Sequence, residues 1–189
     1  MSALPKEEHC FTYADYRQWE LKEGERYELI YGKAYVIITP NTRHQEVLGA
    51  LLFQFYSYVK GSPYKVLLAP FDVRLFYEED ESDDTVVQPD ILVICDKKKL
   101  GLEGCRGAPD LVVEILSPSN SAIEMERKRQ LYQDAGVREY WVVDPENNEL
   151  FVYRFQQGPI PIYRYKSADI APVAIFPDLN INLEQVFAE

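Results

Sequence analysis

The sequence predicts a mixed α/β fold in which helices pack against a central β-sheet. One long segment has helical, amphipathic periodicity, a second predicts a helix that a glycine ends, and several runs rich in β-branched and aromatic residues are separated by polar turns. One helix precedes the central strands and another lies between two of them, as in a sheet that carries helices. We treat residues 1–189 as one domain, because a chain of 189 residues can bury a full hydrophobic core.

The first part of the chain predicts a short helix, a hairpin and a long helix. The segment FTYADYRQWELKE predicts a helix capped by Thr12. The segment RYELIYGKAYVIIT alternates around a turn at Gly32, which predicts a β-hairpin. In TRHQEVLGALLFQFYSYVKG the apolar residues recur with helical periodicity through Val47, Leu51 and Phe55. We therefore expect an amphipathic helix there.

The remaining segments predict the rest of the sheet and a second helix. The strands are predicted in YKVLLAPFDVRLFY, VVQPDILVICD and APDLVVEILSP, and the acidic run YEEDESDD is expected to be a solvated loop. SAIEMERKRQLYQDAG predicts a helix that ends at Gly136, where a left-handed C-terminal cap is favourable. A hairpin through the turn PENN and further strands with a short terminal segment complete the chain.

Charge and composition restrict the class of protein. The net charge of -11 argues against a general nucleic-acid coat, although an enzyme could concentrate its basic residues in one cleft. Cys10, Cys95 and Cys105 are an odd number without metal-ligand spacing, which favours a reducing compartment. The N-terminal residues lack the apolar region of a signal peptide, and no window has the length of an apolar membrane span. We therefore expect a cytoplasmic protein.

Two carboxylates stand at the ends of predicted buried strands. Asp90 opens the apolar run of QPDILVICD, and Glu114 lies near the end of the run in APDLVVEILSP. If these strands are neighbours, both carboxylates can meet at one edge of the sheet. Buried carboxylates are costly unless they are paired or hold a metal, and oxygen donors suit Mg²⁺ or Mn²⁺. A lysine nearby would stabilise the charge that develops on a phosphodiester.

Four segments resemble a known nuclease family. QPDILVI, APDLVVEILSPSNS, ERKRQLY and GVREYWVVDP, in this order and spacing, closely resemble the Uma-type restriction endonuclease family of the PD-(D/E)XK nuclease superfamily. The resemblance extends from about residue 27 to residue 153. It implies a restriction-endonuclease-like fold, with a central mixed sheet flanked by helices, and metal-dependent hydrolysis of DNA. It also implies that Asp90 and Glu114 are the metal ligands.

One position departs from the superfamily pattern. The residue two positions after Glu114 should be a lysine, but it is Leu116. The Uma-type family is similar in carrying its lysine on the following helix, and the resemblance assigns this role to Lys128. Glu124 lies four residues earlier on the same helical face, where the family usually has an aspartate. Alternatively, Lys128 pairs with Glu124 on a solvated helix surface.

Two further residues match the family pattern in the N-terminal half. Glu28 corresponds to an acidic position on the early hairpin, and His44 corresponds to a histidine that opens the long helix. His44 could contact a phosphate or a carboxylate beside the metal, or it could simply cap the helix. Asp90 could likewise cap a turn, and Glu114 could form a structural salt bridge.

The sequence also allows two alternative functions and predicts an oligomeric state. A non-enzymatic binding or assembly module on the same fold is favoured by the acidic charge and the lost strand lysine. A hydrolase of RNA or nucleotides offers a third possibility, because these substrates present the same phosphates. The tail PIYRYKSADIAPVAIFPDLNINLEQVF alternates aromatic and aliphatic residues that could remain exposed, which predicts a homodimer through strands of the C-terminal half. Alternatively, the tail completes the sheet of its own chain.

Overall fold

The computed structural model describes residues 10–19, 25–37, 39–117, 122–155 and 160–188. The helices are α1 (Tyr13–Tyr16), α2 (Thr42–Val59), α3 (Ala122–Ala135) and α4 (Leu183–Phe187). The strands are β1 (Arg26–Ile30), β2 (Lys33–Ile37), β3 (Lys65–Leu68), β4 (Val73–Arg74), β5 (Val86–Val87), β6 (Ile91–Ile94), β7 (Cys105–Arg106), β8 (Leu111–Ile115), β9 (Glu139–Asp144), β10 (Glu149–Arg154), β11 (Ile162–Lys166), β12 (Ile170–Pro172) and β13 (Asn180–Asn182).

A six-stranded mixed sheet in the order β11-β10-β9-β8-β6-β3 forms the centre of the molecule. Strands β8 and β9 are parallel, whereas β6 and β8 are antiparallel with Ile91 opposite Val113. The start of β6 therefore meets the end of β8 at one edge of the sheet. Every residue of β6 and β8 is buried, so these strands are apolar on both faces and do not alternate.

One face of this sheet is covered by α2 and by the C-terminal segment. Val47, Leu51 and Phe55 of α2 are fully buried against the sheet, which confirms the predicted amphipathic helix. Asn41 caps the start of α2 by accepting a hydrogen bond from the backbone N–H of His44, so His44 is not the cap. None of the helices in the described ranges is long and apolar enough to cross a membrane.

The C-terminal segment packs on its own chain. Its apolar residues join the core beneath α2: Ala171, Val173, Phe176, Leu179, Ile181, Leu183, Val186 and Phe187. The expectation that this tail leaves apolar residues exposed is therefore wrong from Ala171 onward, where the sheet and α2 bury them, whereas Ile162, Tyr163 and Ile170 are exposed. The homodimer that depended on this exposure remains a prediction.

The opposite face of the sheet is covered by α3. Leu131 and Tyr132 of α3 are fully buried against this face, which Leu92 and Val112 help to form. The helix ends as predicted before Gly136, whose φ of 88° places it in the left-handed region that glycine adopts without strain.

A five-stranded sheet in the order β2-β1-β5-β4-β7 contains the predicted hairpin. The hairpin of β1 and β2 turns through Tyr31 and Gly32, both of which have positive φ angles, as a two-residue hairpin turn requires. Helix α1 begins with the predicted cap, because Thr12 and Asp15 exchange hydrogen bonds. It is shorter than predicted, and residues 20–23 of the predicted segment lie outside the described residues.

The acidic run after β4 is only partly solvated. Asp83 is buried and receives a forked pair of hydrogen bonds from the Arg74 guanidinium. The guanidinium carbon lies 3.9 Å from the ring centroid of Tyr13 and 4.4 Å from that of Tyr77. The prediction of a wholly solvated loop is therefore wrong at Asp83, because a buried arginine and two aromatic rings enclose this carboxylate.

Candidate active site

A cleft of about 370 Å³ opens at the edge where β6 begins and β8 ends. The hairpin of β1 and β2, the start of α2 and the first turns of α3 form its walls. The charged and polar lining residues include Arg26, Glu28, His44, Gln88, Asp90, Glu114, Glu124, Arg127 and Lys128. The structure thus brings every residue predicted for the site into one cleft.

Lys128 lies between two carboxylates at the floor of this cleft. Its Nζ is 2.9 Å from Glu114 Oε1 and 3.2 Å from Glu28 Oε2. All three side chains are buried. The Tyr132 hydroxyl donates a further hydrogen bond of 2.6 Å to Glu114 Oε1. Lys128 therefore does not belong to a solvated helix surface, because it points inward and pairs with residues from β1 and β8.

Burial and neighbouring charges set the protonation of this cluster. Burial raises the pKa of Glu114 to about 7, with Lys128 opposing the rise and the carboxylates of Glu28 and Asp90 adding to it. Burial alone would lower the pKa of Lys128, but the charges of Glu114 and Glu28 outweigh it and raise that pKa. Lys128 therefore carries its proton at neutral pH and acts as a fixed cation.

Asp90 connects the two central strands to α2. Its Oδ2 accepts a 2.7 Å hydrogen bond from the backbone N–H of Ile115, the residue that follows Glu114. The same oxygen lies 3.3 Å from His44 Nε2. His44 is buried, and in the described part of the chain its Nδ1 has no hydrogen-bond partner. Asp90 therefore stands beside Glu114 at the same edge of the sheet, and His44 fixes its orientation.

The donor set fits a divalent cation that needs few protein ligands. Within the described ranges, Asp90 Oδ1 and Glu114 Oε2 accept no hydrogen bond, so each carboxylate keeps one oxygen for another ligand. The described residues contain no group of three or more His, Cys, Asp or Glu side chains placed to hold a metal by themselves. Mg²⁺ commonly binds through only one or two carboxylates and completes its shell with water and phosphate oxygens.

Glu124, the remaining predicted residue, lies in the cleft, and Tyr132 and Gln88, which were not predicted, support the site. Glu124 lines the cleft on α3, one turn before Lys128. Tyr132 was missed although it lies four residues after Lys128, a spacing that places both on one helical face. The Gln88 side chain donates hydrogen bonds to Asp72 Oδ1 at 2.8 Å and to Tyr16, while its backbone N–H donates to Glu28. No local pattern in the sequence indicates this link to Glu28.

The fold and the cleft together place the protein in the restriction-endonuclease-like class. The structure is similar to a crystal structure described as "a putative nuclease belonging to DUF820 from Anabaena variabilis", with a TM-score of 0.74. The match covers 94% of this chain and 98% of that chain at 22% sequence identity. At this identity the likeness establishes the shared fold and carries no information about the reaction.

The family follows from the sequence itself. Residues 13–184 match the model of the Uma2 family, which is described as "Putative restriction endonuclease", and the chain belongs to this family. A relative from Synechocystis sp., the uncharacterised protein slr1290, is 24% identical over 157 residues, which cover 82% of this chain and 80% of the relative. The family membership confirms the resemblance of the four segments and supports a nuclease-type function.

Proposed function

We propose that the protein is a metal-dependent endonuclease that hydrolyses phosphodiester bonds of DNA. The observation that carries the proposal is the arrangement of Asp90 and Glu114 at one edge of the sheet, with the protonated Lys128 held against Glu114. This arrangement supplies oxygen donors and a fixed positive charge at one point of an open cleft. Family membership supports the reaction class.

Asp90 and Glu114 would hold a divalent ion such as Mg²⁺ or Mn²⁺ through their free oxygens. When bound, the ion would lower the pKa of a water molecule and offset negative charge on the phosphate. Asp90 enters this role already oriented, because the Ile115 N–H and His44 fix its other oxygen. Preorganised ligands of this kind avoid a reorganisation cost when the ion and the substrate arrive.

Lys128 would stabilise the negative charge that develops on the phosphate in the transition state. The charges of Glu114 and Glu28 raise the pKa of Lys128, which favours this role as a cation. Glu28 keeps the ammonium in place from the hairpin, and Tyr132 keeps Glu114 in place from α3. Because Glu28 on β1 and Glu114 on β8 hold the ammonium from two strands, the cation is oriented before the substrate binds.

Cleavage assays on matched substrates test the proposal. Supercoiled plasmid, linear duplex, single-stranded DNA and RNA would each be incubated with the full chain and Mg²⁺ or Mn²⁺, with EDTA as the metal-free control. We expect DNA cleavage that requires the ion and is lost in Asp90→Asn, which keeps an acceptor for the Ile115 N–H.

The matched control for this assay is Glu126→Gln. Glu126 lies on α3, is exposed and pairs with Arg129, so its carboxylate belongs to the same helix as Lys128 but not to the cleft. It should cleave as the wild type does. Cleavage of RNA alone would replace DNA as the substrate, and equal cleavage by wild type and Asp90→Asn would refute the proposed site.

A further inference from the structure

The cationic side chains of the cleft differ in whether they form ion pairs with carboxylates of the described residues. Lys128 is held by Glu114 and Glu28, so its charge is already matched within the protein. Arg26 and Arg127 also line the cleft, and neither forms an ion pair with any residue in the described ranges. An anionic substrate that enters a cleft with several carboxylates needs a cation that is not already neutralised.

Arg127 is held in a conformation that suits a ligand. Its guanidinium carbon lies 3.9 Å from the centroid of the Tyr35 ring. Its Nε is buried and has no hydrogen-bond partner among the residues that the structure describes. An arginine that packs on an aromatic face keeps its N–H groups directed outward along its edge. A buried donor without a partner costs free energy, which an acceptor on a bound ligand would recover.

The register of the hairpin explains why Tyr35 meets Arg127 beside the Lys128 cluster. Tyr35 lies directly opposite Glu28 on the neighbouring strand, and directly opposite residues project from the same face of a hairpin. Arg26 lies two residues before Glu28 and therefore shares this face. Since Glu28 contacts Lys128, the Tyr35 ring and the neighbouring Arg127 lie next to that contact at the wall of the cleft.

We infer that Arg127, braced by Tyr35, binds a backbone phosphate of the nucleic-acid strand next to the phosphate that is cleaved. The inference rests on the proposed function, because it extends the cleft around the Asp90 and Glu114 edge. The planar guanidinium matches phosphate with two parallel hydrogen bonds, which a lysine cannot do. Arg26 adds a second positive charge on the same wall.

Binding measured without cleavage tests this assignment. Fluorescence anisotropy of a labelled oligonucleotide would be recorded with the full chain in Ca²⁺ across a range of salt concentrations. Loss of a charged hydrogen bond in Arg127→Ala should weaken binding about ten- to hundredfold. It should also reduce the slope of log K against log salt by about one phosphate contact. Tyr35→Ala removes the ring against which Arg127 packs and should weaken binding in the same direction.

Arg129→Ala is the matched control, because Arg129 lies on the same helix but pairs with Glu126 outside the cleft. It should leave both the affinity and the salt slope unchanged. Unfolding curves of each variant exclude loss of fold as the cause of weak binding. Arg127→Lys should recover only part of the affinity, because it restores the charge without the planar fork.

The outcomes separate this inference from the proposed function. Binding that depends on Arg127 in a protein that cuts no nucleic acid would support the phosphate subsite and refute the nuclease. Wild-type affinity and salt slope in Arg127→Ala, in a protein that does cut DNA, would overturn the subsite and leave the nuclease standing. Absence of nucleic-acid binding by the wild type, or equal affinity for a mononucleotide, would overturn the subsite as well.

Discussion

The molecule contains two buried clusters of charge that are built in opposite ways. In the five-stranded sheet, one arginine meets one carboxylate: Arg74 forks onto Asp83 and is covered by the rings of Tyr13 and Tyr77. In the cleft, the single ammonium of Lys128 faces Glu28 and Glu114, and Asp90 adds to the negative potential at Glu114. In the first cluster the positive and negative charges are equal in number and enclosed by side chains, and we call it the matched cluster. In the second, carboxylates outnumber the ammonium and the cleft is open, and we call it the unmatched cluster.

The difference indicates which cluster serves the fold and which serves a ligand. A matched and fully hydrogen-bonded pair has little to gain from another charge. An excess of carboxylates in a buried place is unfavourable for folding and becomes favourable only when a cation binds. Burial is the main cause of the raised pKa of Glu114, and the charges of Glu28 and Asp90 raise it further, in line with this cost.

The largest expected effect on stability comes from breaking the matched cluster. Asp83→Ala should lower the free energy of unfolding by about 3–5 kcal/mol, because the buried charge of Arg74 would lose its carboxylate and keep only the Glu78 carbonyl as an acceptor. Denaturant unfolding followed by tryptophan fluorescence measures the change. A loss below about 1 kcal/mol, the usual range for exposed pairs, would show that Asp83 is accessible to water.

The unmatched cluster should respond in the opposite way. Glu114→Gln should reduce DNA cleavage by at least about a hundredfold, which is the usual cost of losing one preorganised group at a reacting centre. Its free energy of unfolding should change by less than about 1 kcal/mol, because the amide oxygen still accepts from Lys128 and Tyr132. A large loss of stability with cleavage intact would reverse the assignment of the two clusters.

His44 should have a smaller effect on the metal. His44→Ala removes the imidazole that contacts Asp90. Residues that orient a metal ligand in this way typically contribute about ten- to a hundredfold to metal affinity, so we expect a loss in that range. Calorimetric titration with Mn²⁺ measures the loss. Gln45, its exposed neighbour on α2, gives the control, and Gln45→Ala should bind Mn²⁺ unchanged.

The smallest effect concerns a third buried carboxylate, Glu139 on β9. Burial raises its pKa above the ordinary 4.5, although hydrogen bonds from Trp141 and the Ile175 backbone lower it. A raised carboxylate pKa in the folded state means that the stability it contributes is lost as the pH rises through that pKa. The stability of Glu139→Gln relative to wild type should therefore increase as the pH rises from 4 towards 7. Thermal unfolding at several pH values checks the sign, and a constant difference would contradict it.

The parts of the fold that follow from long periodic segments could be predicted from the sequence. Helix α2 and the hairpin of β1 and β2 appear as predicted, because each repeats its pattern over enough residues to decide the element. The five-stranded sheet was not predicted as a separate unit. Its strands β4, β5 and β7 have two residues each, and two residues carry no periodicity.

The two carboxylates of the site could be predicted from the sequence, whereas the contacts that hold Lys128 could not. Asp90 and Glu114 could be placed together, because antiparallel neighbours bring the start of β6 to the end of β8. The pairing of Lys128 with Glu28 could not be predicted from the sequence. Glu28 lies 100 residues away, and only the packing of the two sheets brings it to Lys128. The burial of Asp83 was missed for a different reason: its partner Arg74 lies on β4, and the two-residue strands β4 and β5 that flank the loop carry no periodicity.

Binding of Mn²⁺ tests most directly whether the excess of carboxylates in the cleft exists to hold a divalent ion. Isothermal titration calorimetry would compare the wild type with Asp90→Asn, and with Glu139→Gln as a control that removes a buried carboxylate outside the cleft. We predict one Mn²⁺ bound by the wild type and by Glu139→Gln, with binding at least about tenfold weaker in Asp90→Asn. Equal Mn²⁺ affinity in Asp90→Asn and the wild type would contradict the account.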